Sequence, residues 1–194
     1  LPICSAPSFR KLLLVVFSAA ALLVIARCTV HAQYSISGVV NISTPVLSLR
    51  TEGCAAMVGV EDTVGFSSGD RVLIFQASGC SDSAGYDVDA VGLWEIGVIS
   101  TITANNTIVL DHPLLHAYKL CGAVQLVRVA SFNGNVRVQD TLRVAPWNGR
   151  SGGVLCLQVK GSLQLDAPID VRGAGFAGGA LWNGSGQCST TIAN

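Results

Sequence analysis

In Val136-Arg137-Val138-Gln139-Asp140-Thr141-Leu142-Arg143-Val144, Val136, Val138, Leu142 and Val144 alternate with polar residues. Leu155, Leu157, Val159, Leu163, Leu165, Ile169 and Val171 continue the alternation downstream. A period of two predicts strands with one buried and one wetted face. Within these stretches, 138–144 is echoed position by position in Val159-Lys160-Gly161-Ser162-Leu163-Gln164-Leu165, a step of 21 residues that also carries Val136 to Leu157. One coil of a β-solenoid takes about 20–30 residues. The echo therefore predicts a parallel β-helix in which Leu163 stacks above Leu142 inside the shaft, with Gln164 facing solvent.

Upstream, short β-type runs recur at 35–42, 71–76, 94–102, 107–110 and 124–130, with a further run at 154–159, separated by Gly, Asn, Asp and Ser. Asn105-Asn106 lies between two of them and reads as a hairpin turn, because Asn tolerates positive φ. The predicted fold class is all-β. A β-sandwich or barrel-like cap over 33–130 is followed by the first coils of a parallel β-helix over 131–194. Such a cap shields strand edges that would otherwise recruit other chains.

The first 32 residues read as a secretory signal. Arg10 and Lys11 form a basic edge, 12–26 is apolar except for Ser18, and Val30-His31-Ala32 offers a cleavage site before Gln33. The apolar run is shorter than the ~20 residues of a membrane span. Arg27 before Cys28 excludes a lipoprotein signal, which needs a small residue there. The expected product is secreted or at the cell surface, with no membrane span after cleavage. The numbering begins without Met and stops in a Gly-, Ser- and Thr-rich stretch, so a longer chain is expected. Beyond residue 32 there are nine basic and twelve acidic residues, a net charge of −3. With no basic patch, nucleic acid is excluded as a partner.

Five cysteines remain: Cys54, Cys80, Cys121, Cys156 and Cys188. An extracellular address permits disulfides. The expected pair is Cys54–Cys80, near the ends of adjacent β-runs of the cap. No C-x-x-C is present, which leaves a zinc or redox site without support.

The sequence contains a run of structural motifs: Phe66-Ser67-Ser68-Gly69-Asp70-Arg71-Val72-Leu73-Ile74, then Gly122 to Val129, Ala145-Pro146-Trp147-Asn148-Gly149, Gly152-Gly153-Val154, and Val171 to Gly179. In this order they resemble the amino-terminal region of large secreted bacterial surface proteins, adhesin-like chains with a glycine-rich β-helical body, some of them cargo of type IX secretion. The resemblance spans roughly 39–179 and implies an exported structural or adhesive protein that acts as cap and first coils of a rod. Surface glycans or other cell-surface proteins are the implied partners. It carries over no catalytic residue and no cofactor.

Several local motifs are weighed against plainer readings. Gly173-Ala174-Gly175-Phe176-Ala177-Gly178 matches a dinucleotide fingerprint, but the Gly-rich stretch after it is a poor helix former. Gly65-Phe66-Ser67-Ser68-Gly69 matches a nucleophile elbow, but a strand follows where a helix is required. His112 and His116, with Asp111, have helical metal spacing across Pro113, and an exposed loop is the plainer reading. Asp82, Asp87 and Asp89 are weak calcium candidates on a polar loop. Asn41, Asn105 and Asn183 begin N-x-[ST] sequons. Trp147 and Trp182 are the candidates for stacking on a sugar. Asp166, Asp170 and Arg172 are the residues available to the alternative reading, a β-helical polysaccharide lyase or hydrolase. A carbohydrate-binding module is the third reading.

Overall fold

The computed structural model describes residues 33–82, 85–87 and 89–176. The signal reading of 1–32 and the candidates Asn183, Cys188 and Trp182 lie outside the described residues. Among the described residues thirteen strands are formed: β1 Gln33–Val39, β2 Ser43–Glu52, β3 Ala55–Val60, β4 Arg71–Gln76, β5 Cys80–Asp82, β6 Gly85–Asp87, β7 Trp94–Thr103, β8 Thr107–Leu110, β9 Val124–Arg128, β10 Ala130–Phe132, β11 Asn135–Arg143, β12 Leu157–Val159 and β13 Leu163–Leu165. No helix occurs among the described residues, and the fold is all-β.

Strands β2, β3, β8, β7, β4 and β9 close an antiparallel six-stranded barrel. Two long strands make its corners. β2 pairs with β9 over Ser43–Pro45 and with β3 from Val46 onward. β7 pairs with β4 in its first half and with β8 in its second. Both strands carry a register irregularity where they change partner, at 46–48 and 99–101. A bulge bends a strand in this way and allows a sheet to close. The inward positions of β3, β4 and β8 alternate as their sequences dictate, so Ala56, Val58, Val72, Ile74, Ile108 and Leu110 fill the interior with Ile99 and Leu126. Asn106 has φ 49° in the β7–β8 turn, as the paired asparagines predict.

β1, β11 and β13 form a parallel sheet, and β10 and β12 a second one. Partners lie 27 residues apart: Ala130 on Leu157, Val136 on Leu163, Val138 on Leu165 and Leu142 on Ile169. This corrects the step of 21. Leu163 stands over Val136 rather than over Leu142, and it is 42% exposed. Period-two alternation leaves several registers equally apolar. The turn decides between them: Gly161 donates to the Gly134 carbonyl, and Ser162 N–H donates to Asn135 Oδ1 at 3.0 Å. A side chain at Gly161 would run into the Gly134 and Asn135 backbone. Gln164 faces solvent as expected.

The position of β1 departs from a division at residue 130. β1 hydrogen-bonds in parallel with β11, so it belongs to the sheet that follows the barrel. The barrel strands are thus inserted between two neighbouring passes of one parallel sheet. Buried amides tie the two parts together. Gln125 of β9 donates to the Gly152 carbonyl at 3.1 Å and accepts from Gly152 N–H at 2.8 Å. Asn41 donates to the Arg128 and Cys156 carbonyls and accepts from Cys156 N–H. The run predicted at 154–159 is a strand only from Leu157.

The disulfide is Cys80–Cys121, with Cα atoms 5.0 Å apart, and not Cys54–Cys80. Cys54 sits exposed in the tight turn between β2 and β3, whereas Cys80 is buried at the start of β5 beside the segment that leads into β9. Closing this loop of 41 residues restricts the unfolded chain by about 4 kcal/mol in the chain-entropy account.

Candidate functional site

A cleft of about 700 Å³ opens where the barrel meets the parallel sheets. The turn into β4 brings Asp70 and Arg71, the end of β9 brings Arg128, and β10 and β12 with the following turn bring Phe132, Gln158 and Lys160. Backbone bonds fix these pieces together. Val129 N–H donates to the Arg71 carbonyl at 2.8 Å, Arg128 N–H to the Ile42 carbonyl at 2.8 Å, and Lys160 N–H to the Phe132 carbonyl at 3.0 Å. Arg128 spends one guanidinium N–H on the Gly65 carbonyl at 2.7 Å. Asp70 accepts from Ser67 N–H at 2.8 Å.

A second groove, of about 460 Å³, is apolar. Leu73 and Phe75 of β4 and Trp94 and Ile96 of β7 face Val154, Leu155, Cys156 and Phe176 across it. Phe176 stacks on Phe75 at 5.7 Å, and Trp147 meets Phe176 edge-on at 4.7 Å. Trp147, one of the two sugar-stacking candidates, is therefore half-buried packing, while Trp94 is 59% exposed. Burial raises the pKa of the Cys156 thiol, with Arg71 opposing the shift, and so favours the protonated form.

Asp82 and Asp87 stand on β5 and β6, but their side chains lie outside what is described; Asp89 is exposed in the turn that follows. The His112–His116 segment is a loop. His112 Nδ1 is 2.9 Å from the Pro113 carbonyl and Nε2 is 3.6 Å from Asp111 Oδ1, while His116 packs edge-on against Tyr118. The Pro113 carbonyl raises the His112 pKa. Among the described residues no three His, Cys, Asp or Glu side chains are grouped to hold a metal. The loop is held instead by buried Glu95, whose carboxylate accepts from Leu115 N–H at 2.9 Å and from His116 N–H at 3.3 Å. Burial, with Glu95 nearby, raises the Tyr118 pKa.

Ser67 lies in an exposed turn that runs directly into β4, without the helix an elbow needs. Gly173 has φ 67° in a turn, and Gly178 of the same motif lies outside the described residues. Asn41 is buried with both side-chain atoms bonded, while Asn105 is exposed in the hairpin turn. Asp166 and Asp170 project from the parallel sheet onto arginines. Asp166 accepts from Arg137 Nε and from Gln164 at 2.8 Å, and Asp170 accepts from Arg172 Nε and a terminal nitrogen at 2.9 Å each. These hydrogen bonds lower both carboxyl pKa values, the opposite of what a glycosidic general acid requires.

The residues that line the larger cleft escape a sequence reading. Arg71, Arg128 and Lys160 are isolated basic residues, 57 and 32 positions apart; the β4–β9 pairing brings the two arginines together and the β10–β12 pairing brings Lys160. No helix of the described residues is long and apolar enough to cross a membrane.

No protein-family model and no curated protein sequence matches the chain. Among solved structures it is similar to the gp54 tailspike of Acinetobacter baumannii bacteriophage AP22, solved in complex with A. baumannii capsular saccharide: TM-score 0.38 and 12% identity, over 71% of this chain and 24% of that one. It is also similar to the tailspike gp49 of Pseudomonas phage LKA1, with TM-score 0.32 and 13% identity over 68% and 22% of the two chains. A third likeness is to the siderophore-interacting protein SipS of Aeromonas hydrophila, with TM-score 0.26 and 9% identity over 66% and 71%. The chain spans about a quarter of the tailspike chains' length. Likenesses this distant assign no function, which is read from the residues of the chain itself.

Proposed function

We propose that this chain is the capped beginning of an exported β-solenoid, a structural and adhesive protein of a cell surface whose partners are surface glycans or other surface proteins. In this reading the barrel inserted between β1 and β11 is the cap, and further coils extend beyond β13. One observation carries the reading. Leu163, Leu165, Ile169 and Val171 stand one 27-residue step beyond Val136, Val138, Leu142 and Val144, which are at most 5% exposed, yet the outer four are 37–54% exposed. An apolar row at this spacing is what another coil would cover, since a coil cannot bury its core alone. Repeated contacts along such a rod add avidity without a strong single site.

The test compares Leu163→Asp with Gln164→Lys in the chain as its gene encodes it. Under a further coil, Leu163→Asp buries an unpaired carboxylate and lowers the melting temperature sharply, while Gln164→Lys leaves it unchanged. Equal melting temperatures for the two variants would remove the rod.

A further inference from the structure

We propose that the cleft between barrel and parallel sheets binds an anionic saccharide, a uronate carboxylate lying among Arg71, Arg128 and Lys160. This deepens the adhesive part of the function proposed above by naming the ligand chemistry. The first ground is charge. Arg137, Arg143, Arg150 and Arg172 each have a carboxylate partner within 4.0 Å. Arg71, Arg128 and Lys160 form no ion pair among the described residues; exposed Arg50 also has none, but these three line one cleft together. One carboxylate stands on its walls, Asp70, which accepts from the Ser67 N–H and keeps its charge, so three cations face one anion there. A chain that is net acidic beyond residue 32 thus concentrates unneutralised positive charge at one concave place.

The second ground is the mixture of groups. A guanidinium offers a planar fork of donors to a carboxylate, and the Gly65 carbonyl orients that of Arg128 while occupying one of them. Gln158 supplies amide chemistry suited to ring hydroxyls, and Phe132 supplies an apolar edge suited to a ring face. A nucleic acid would need a longer basic track along its phosphates. Cations, amide and apolar edge enclosed in about 700 Å³ instead fit a few acidic sugar units.

Tetragalacturonate, a neutral galactose tetramer and a tetraglutamate peptide are titrated into the full chain by calorimetry. Binding is expected for the uronate, not for the neutral sugar, and more weakly for the peptide. Arg71→Gln and Lys160→Gln should each weaken uronate binding by about tenfold, the order expected for a charge-assisted hydrogen bond. Arg50→Gln, at an exposed position in the second half of β2 and away from the cleft, should leave it unchanged. No uronate binding, equal binding of the neutral sugar, equal or tighter binding of the peptide, or an equal loss with Arg50→Gln would each overturn the proposal. Melting temperatures of the variants confirm that the fold is kept. The Leu163 comparison is read without ligand, so failure here leaves the rod standing, and failure there leaves the cleft standing.

Discussion

Asp166 and Asp170 show how single side chains serve the parallel sheet. Arg137 of β11 reaches Asp166 just beyond β13, and Arg143 of β11 lies 4.0 Å from Asp170, so charge is matched between neighbouring passes of the sheet. Hydrogen bonds from Arg137 and Arg172 pull the two carboxyl pKa values below the ordinary 3.8. A folded-state pKa below the unfolded one gives stability that is present above about pH 4 and is lost as the pH falls through the folded value. Carboxyl-detected NMR titration should find both residues ionised below pH 3.8, with Arg137→Ala returning Asp166 and Arg172→Ala returning Asp170 toward the ordinary value. The cysteines teach a different lesson at the same scale. Residue type and compartment predict a disulfide, but which sulfurs meet depends on which turns the barrel brings together. The pairing therefore came from Cys121, a residue that spacing along the chain did not favour.

At the scale of the element, β11 is the strand the rest depends on. β1 lies on one side of it and β13 on the other, and Val136, Val138 and Leu142 are almost wholly buried. Leu142→Ala should cost about 2–5 kcal/mol in urea unfolding, the range for an interior leucine that leaves a cavity. Gln164→Lys on exposed β13 should stay within about 0.5 kcal/mol. The strand itself was legible, because four apolar residues in nine alternate as a half-buried strand must. Its register was not. Moving from 21 to 27 residues keeps every apolar residue on an apolar face, and only the close approach of Gly161 to the Gly134 and Asn135 backbone distinguishes the two. β2 and β3 are not among the β-type runs read from the sequence, and Pro45 and Gly59 are each accommodated within a barrel strand.

For the whole molecule, the decisive feature is a barrel inserted into a parallel sheet, held by side-chain amides as well as by apolar contacts. Asn41 is the main fastener, with bonds to Arg128 and Cys156. Asn41→Ala would strip this partner from the Arg128 carbonyl and the Cys156 N–H, while the Cys156 carbonyl keeps the Ala130 N–H at 3.1 Å; each buried group left unpaired costs about 1–3 kcal/mol. Hydrogen exchange should show faster exchange at the Cys156 amide, while barrel amides such as that of Ile74 stay protected. Protection unchanged at Cys156 would mean that apolar packing alone joins the two parts.

By itself the sequence determined the all-β class, the strands at 71–76 and 107–110, the Asn105-Asn106 turn and the one-sided burial of β11. Each of these is a local property, set by alternation, β-propensity and turn chemistry within a few residues. Only the tertiary structure decided the 27-residue step, the place of β1, the Cys80–Cys121 bridge and the gathering of Arg71, Arg128 and Lys160 around one cleft. These depend on contacts between residues far apart in the chain, where many arrangements satisfy the same local pattern. Close backbone packing at the turns, and closure of the barrel, select one of them.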